Sequence, residues 1–454
     1  MTDLSVSPTI ERLRAAGAEL HVPGDVGYDA LRMPWNCSID LRPAAVAAPS
    51  TVEEVGAVVR AAVAAGLRVV PMTTGHGAGV LTDVALDDVV MLRMHRLTGV
   101  EIDPINRTAR VLGGTPWADV VTAAQPHGLT AAHGSAPDVG VTGYLLGGGL
   151  SFYGRRHGLA ANLVRAVELV TADGDVVRAD GEHHRELLWA ARGGANVGIV
   201  VAWEIELLPY ADVYAGMLLW DRDRAPDVVR TWAAWSRQAP ESVTTSLRVM
   251  SFPPLPELPP FLSGRDVVVI DGVVLENDEA ADAVLAELRE LAPEVDTFGR
   301  VPTAAVLDIH MDPPTPTPVA TEYSMLGSLD DRAVGALLAV VGPGTESGLM
   351  IAEVRHLGGA FSRAVDDGGV CSRIEGEYAL HTVAVVPVPE LLPAARAAGT
   401  AVLDAMAPWT NGSLVPSFTE RREGAPLSAA DRAELVRIRA ASDPRGAVVA
   451  NRDL

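Results

Sequence analysis

The sequence predicts an α+β chain of two domains, the second built on an antiparallel sheet flanked by helices. Three observations lead there. The first 207 residues alternate apolar strand-like runs with amphipathic helices and hold three glycine-rich loops. Around Pro209 the pattern changes to strands separated by long proline-rich loops. At 454 residues, 48% of them apolar and 21% charged, the chain is globular and exceeds what one core usually serves. The expected layout is a first domain over 1–207, a second over 208–404, and a segment over 405–454 that returns to the first.

Taken in order, residues 43–71 read as strand, helix and strand. Thr51 and Glu54 form a capping box, and Val55, Val58, Val59, Ala62 and Val63 share one helical face. Gly66 stops this helix, and LRVV resumes as a strand that delivers the loop TTGHGAG. TGVEIDPINRTARVL reads as two strands around a turn at Pro104, and Pro116-Trp117 opens a helix closed by Gly128. RAVELVTADGDVVRA is a hairpin turning at Asp173-Gly174, and ARGGANVGIVVAWEIELLP joins a glycine turn to a strand. Beyond Pro209 come the loop SFPPLPELPPFLSG, the strand DVVVIDGVVL, the helix NDEAADAVLAELREL, the loop MDPPTPTP, and strands in EVRHLGGAFSR and EYALHTVAVV. SAADRAELVRIRAASDP is the last helix. No fixed-period repeat occurs.

A formal charge of -22 with no basic stripe argues against nucleic acid and anionic membranes as partners. All 36 basic residues are arginine, which excludes a lysine Schiff base or a Walker lysine. Cys37 and Cys371 supply neither a disulfide framework nor a metal-ligand set, so no metal is expected. With no signal-like N-terminus and no apolar run near 18 residues, a soluble, cytoplasmic protein is expected, monomeric or homodimeric.

The glycine-rich segments 73–79, 133–158 and 192–198 point to a ligand. Successive free backbone N–H groups form anion-binding nests, and glycine lets them close on a pyrophosphate. His76, between two glycines, has room beside it for something other than protein. A nicotinamide Rossmann unit needs a G-x-G-x-x-G between strand and helix with an acid some way on, and Gly147-Gly148-Gly149 leads instead into LSFYGRR.

These segments together resemble the FAD-linked oxidoreductases of the vanillyl-alcohol oxidase fold, the PCMH-type FAD-binding superfamily, and within it the berberine-bridge-enzyme-like branch. The resemblance rests on RPAAVAAPSTVEEV, the Gly-His of TTGHGAG, VGVTGYLLGGGLSFYGRRHGLAANLV, VELVTADGDVVRA and LLWAARGGANVGIVVAWEIEL, with ASDPRG near the C-terminus. It implies FAD, cradled by Thr73, Thr74, Gly75, His76, Gly77, Ala78 and Gly79, and by Gly134, Ser135, Ala136, Val139, Gly140, Gly143 and Tyr144. Gly198, Ile199 and Val200 would lie toward the adenine. Gly148 and its neighbours either touch the cofactor or let backbones pack closely, and Asn162 either contacts it or fills the core. The resemblance implies covalent attachment of the flavin 8α-carbon to His76. Ala136 stands where some relatives carry a second attaching cysteine, so single attachment is expected.

The implied chemistry is removal of two electrons from an alcohol, hemiacetal or amine carbon of a small metabolite. Dioxygen is the expected acceptor, giving hydrogen peroxide, and Gly134 either leaves room for a small molecule or serves a tight turn. The resemblance also admits a dehydrogenase or an oxidative cyclase of secondary metabolism, or a flavin-binding protein without turnover. Where the family often carries a Tyr-x-Asn tyrosine, this chain reads LVPSFTERREG with Phe418. The base must then come from elsewhere. Candidates are His310, Tyr323, Glu353, Arg355 and Tyr378, with His356, His381, Tyr153, Arg155 and Arg156 as further possibilities. Strand alternation puts Glu353 and Arg355 on one face and His356 on the other. Alanine-rich, lysine-free composition suggests a GC-rich bacterial source.

Overall fold

The strand-helix-strand unit forms as its pattern requires: strand Ala45–Ala48, helix Val52–Ala64, strand Arg68–Met72. Thr51 caps the helix by accepting from the Glu54 N–H, while Glu54 reaches back to the N–H of Ser50, one residue beyond the usual capping-box partner. Val55, Val58, Val59 and Ala62 are fully buried on the inner face and Val63 is half-buried. In this computed structural model, residues 8–194, 196–256, 258–422 and 427–453 are described. Ala195 of the third glycine loop, Glu257 of the proline-rich loop and 423–426 of the C-terminal stretch lie outside them.

Three sheets organise the chain. A four-stranded sheet runs Glu19–His21, Ala45–Ala48, Val89–Arg93, Arg68–Met72, parallel except at its first pair. A five-stranded antiparallel sheet holds the hairpin Val100–Asp103 and Thr108–Leu112, then Ile199–Glu206, then the hairpin Val164–Val170 and Val176–Ala179, whose turn places Gly174 at φ +80°. The third sheet has eight antiparallel strands. Its order is Val295–Asp296, Asp212–Asp221, Asp266–Val274, Val243–Ser251, Ile351–His356, Tyr378–Val385 and Val319–Leu326, with Gly299–Pro302 also on Asp212–Asp221.

Helices Ala225–Ser236, Asp278–Arg289, Asp331–Val341 and Leu392–Met406 supply apolar side chains to the core on one face of this large sheet. The other face is partly polar and turns toward the first two sheets. The chain passes between the two regions in the loop from Glu206 to Asp212. It returns near its end: Leu435 and Ile438 of helix Ala429–Ser442 join the core around Trp203, and Val448 forms a parallel bridge with Val69. Among the described residues no helix is long and apolar enough to cross a membrane.

Candidate functional site

A cavity of about 390 Å³ runs between the glycine loops of the first region and the polar face of the large sheet. At one end it is walled by Thr73 to Ala78, Gly134 to Ala136, Val139, Gly140, Gly143, Tyr144 and Val200. At the other stand His310, Asp312, Glu353, Arg355, His381 and Phe418. The strand Arg68–Met72 launches the first loop, and the short helix Val141–Leu146 begins directly after the second, so both loops present backbone to one space.

Not every residue proposed from the sequence faces this space. Gly79 is buried behind the loop, where an added Cβ would meet Glu420. Gly148 gives its carbonyl to Ala161 N–H, and Gly198 packs against the Val170 carbonyl. Ile199 is fully buried in the core between the two smaller sheets. The Asn162 amide donates to the Ser372 carbonyl at 2.7 Å, a tie between the two regions. Tyr378 stacks on His356 and bonds Ser236 on the opposite face of the large sheet, and Tyr323 is buried beside Phe418. Arg155 donates to the carbonyls of Leu357 and Ala239, again tying the regions together.

The polar face holds a closely coupled network. Strand alternation brings Glu353 and Arg355 together as predicted, and both are buried: the Arg355 Nε–H donates to Glu353 Oε1 at 2.8 Å. His310 Nε2 lies 3.8 Å from the same oxygen, and His381 Nδ1 lies 3.7 Å from Oε2. Behind His310, Asp271 is fully buried on strand Asp266–Val274. It accepts from His310 Nδ1 at 2.9 Å, from Ser246 Oγ at 2.6 Å and from Arg248, whose guanidinium also donates to the His310 carbonyl.

Burial works against ionising either carboxylate. Arg248 and His310 nevertheless hold the Asp271 pKa below its ordinary value, and Arg355, His310 and His381 hold that of Glu353 well below. An ionised Asp271 only accepts, so Nδ1 carries the His310 proton it receives and Nε2 is left toward the cavity. Met311, next in the chain, sits at φ +53°, the kind of strain that clusters at functional sites. Phe418 stands against this cluster, with the Arg355 guanidinium 5.0 Å from its ring centre.

At the other end His76 Nε2 lies 3.1 Å from Asp138 Oδ1, and the Trp35 indole N–H donates to Oδ2. Asp271, Asp138 and Trp35 were not singled out from sequence. Asp271 had a readable signal, one carboxylate inside the apolar run DVVVIDGVVL, whereas Trp35 had none. The cavity wall fits a flavin dinucleotide. Open space lies beside Gly77 and Gly143, and the buried Tyr144 hydroxyl and Ser417 Oγ, both at the wall, have no protein partner. Among the described residues no group of three or more His, Cys, Asp or Glu could hold a metal ion.

Residues 43–180 match the family model of an FAD binding domain. The chain is 34% identical over 206 residues to (R)-6-hydroxynicotine oxidase of Paenarthrobacter nicotinovorans, covering 44% of each chain. It is 32% identical over 206 residues to xylooligosaccharide oxidase of Thermothelomyces thermophilus, covering 44% of this chain and 41% of that one. The matched stretch thus spans under half the length of either relative. The solved structure of a berberine-bridge-enzyme-like protein from Physcomitrella patens superposes with a TM-score of 0.83 at 20% identity over 97% of both chains. That of a berberine bridge enzyme variant does so with 0.81 at 17% over 97% and 98%. The fold, the matched domain and the loops around the cavity agree: residues 43–180 are an FAD binding domain, in a chain that folds as the berberine-bridge-enzyme-like structures do.

Proposed function

We propose that the chain is an oxidase that removes a hydride and a proton from an alcohol, hemiacetal or amine carbon of a small metabolite, using FAD attached through His76. Dioxygen is the proposed final acceptor, so an alcohol and O2 become a carbonyl compound and hydrogen peroxide. One observation carries this reading: a single cavity has glycine-rich loops at one end and a buried network of His310, Glu353 and Arg355 at the other. The (R)-6-hydroxynicotine oxidase and xylooligosaccharide oxidase that the chain resembles favour a small organic substrate.

In this reading bound FAD supplies the two-electron acceptor. Backbone N–H groups of Thr73 to Ala78 and of the Ser135 to Gly143 stretch would hold its phosphates and ring, with Val200 toward the adenine. His310 takes the substrate proton at Nε2, because Asp271 holds its Nδ1–H. Glu353, fixed by Arg355, orients the substrate hydroxyl or amine and stabilises the imidazolium that forms on His310. The aromatic ring of Phe418 closes the polar cluster from one side and limits water there.

Anaerobic mixing of the holoprotein with a panel of secondary alcohols, oligosaccharides and hydroxylated cyclic amines tests this. At least one class is expected to bleach the long-wavelength flavin band, and His310→Gln to slow that bleaching by about 100-fold or more, the lower range of general base catalysis. Flavin that no member reduces contradicts turnover and leaves a flavin-carrying binding protein.

A further inference from the structure

Trp35, His76 and Asp138 come from three separate stretches of chain and meet at the cavity wall. The Asp138 carboxylate bridges the other two: one oxygen faces His76 Nε2 at 3.1 Å and the other accepts from the Trp35 indole N–H. The indole also stacks on the imidazole, with ring centres 4.3 Å apart and planes 21° apart. Backbone fixes the stack. Trp35 N–H donates to the Thr74 carbonyl at 3.0 Å, and Gly75, at φ +90°, lies so near Pro34 that a Cβ there would be 2.6 Å from the proline Cβ.

Burial disfavours the charged form of Asp138, but the His76 and Trp35 contacts hold its pKa below the ordinary carboxylate value. An ionised carboxylate only accepts, so the shared proton belongs to His76 Nε2. The Nδ1 lone pair is then free, and the ring that carries it is held by stacking on one side and a charge-assisted hydrogen bond at its far nitrogen.

We propose that Asp138 is the positioning residue that makes Nδ1 of His76 the atom that attaches the flavin, with Trp35 holding carboxylate and ring in register. This rests on the attachment through His76 proposed above. In the step, a C–N bond to Nδ1 replaces one C–H bond of the flavin 8α-methyl group. The methyl hydrogen and the Nε2 hydrogen are given up as protons, and dioxygen takes both, with two electrons, as hydrogen peroxide. As Nδ1 bonds to carbon the imidazole becomes positive, and Asp138 stabilises that charge, as the aspartate does for histidine in a Ser-His-Asp triad, until the Nε2 proton leaves to the peroxide.

The test follows attachment itself rather than turnover. Wild type, Asp138→Asn, Asp138→Glu and Trp35→Phe are purified, supplied with FAD in air, and sampled over time for acid-stable flavin by precipitation and intact mass. Wild type is expected to reach one acid-stable flavin per chain. Asp138→Asn is expected to bind FAD that acid releases and to attach it about tenfold or more slowly, the factor one hydrogen bond to a charged group is worth. Asp138→Glu should restore part of the rate, which a merely structural role would not require, and Trp35→Phe should slow it less than Asp138→Asn. Attachment by Asp138→Asn at the wild-type rate overturns the role of Asp138 and leaves His76 attachment standing. Wild type without acid-stable flavin overturns the attachment reading and this inference with it. If Asp138→Asn holds no FAD, the other two decide: wild-type rates in both overturn the proposal.

Discussion

Asp271 is a carboxylate inside a β-sheet, tolerable only because Arg248, Ser246 and His310 all donate to it. Removing that charge leaves the Arg248 guanidinium buried without a counter-charge, so Asp271→Asn should lower unfolding free energy by about 3–5 kcal/mol in denaturant titration. The same physics sets a pH dependence. The folded pKa values of Asp271 and Glu353 lie below the unfolded ones. Their stabilisation is therefore complete above the unfolded carboxylate range of about 4 and lost as pH falls below it toward the folded values. The denaturation midpoint should accordingly drop below about pH 4 in wild type, and less steeply in Asp271→Asn. At this scale the sequence was partly legible. Glu353 and Arg355 share a face by strand alternation, and His310 was a candidate by residue type. Their partners Asp271 and Arg248 lie on two other strands, and that register is written in no local pattern.

Loops and elements were legible where backbone chemistry is local. Thr51 and Glu54 mark the start of their helix, and the two hairpins turn where Pro104 and Asp173-Gly174 said they would. The helix Val141–Leu146 escaped notice because glycines at 140, 143 and 147 hide its apolar period. Gly75 is the element-scale counterpart of the site chemistry. Its backbone conformation suits glycine and its Cα abuts Pro34, so Gly75→Ala should cost about 1–3 kcal/mol of stability and push Trp35 off His76. Thermal unfolding would register the first effect, and a shift in tryptophan emission the second. An alanine variant with wild-type melting and emission would show that the loop is not held as tightly as its geometry implies.

For the whole molecule, the shift in pattern near Pro209 led to the expected layout of a first region, a sheet region and a returning tail, and a loop separates strand Ile199–Glu206 from strand Asp212–Asp221. What composition and periodicity could not convey is how the regions meet. Asn162 to Ser372, Arg155 to Leu357, Ser135 to Asp312 and Ser38 to Val319 are contacts between residues more than 170 positions apart, and they tie the regions together. Because the cavity lies between the regions, neither alone contains both the glycine loops and the acid-base cluster. The central claim is that this space holds a flavin joined to His76. Intact-mass measurement of acid-denatured wild type beside His76→Ala tests it most directly. One FAD retained on the wild-type chain and none on His76→Ala is the predicted result; a wild-type mass equal to that of the bare sequence, or a retained flavin on His76→Ala, would contradict it.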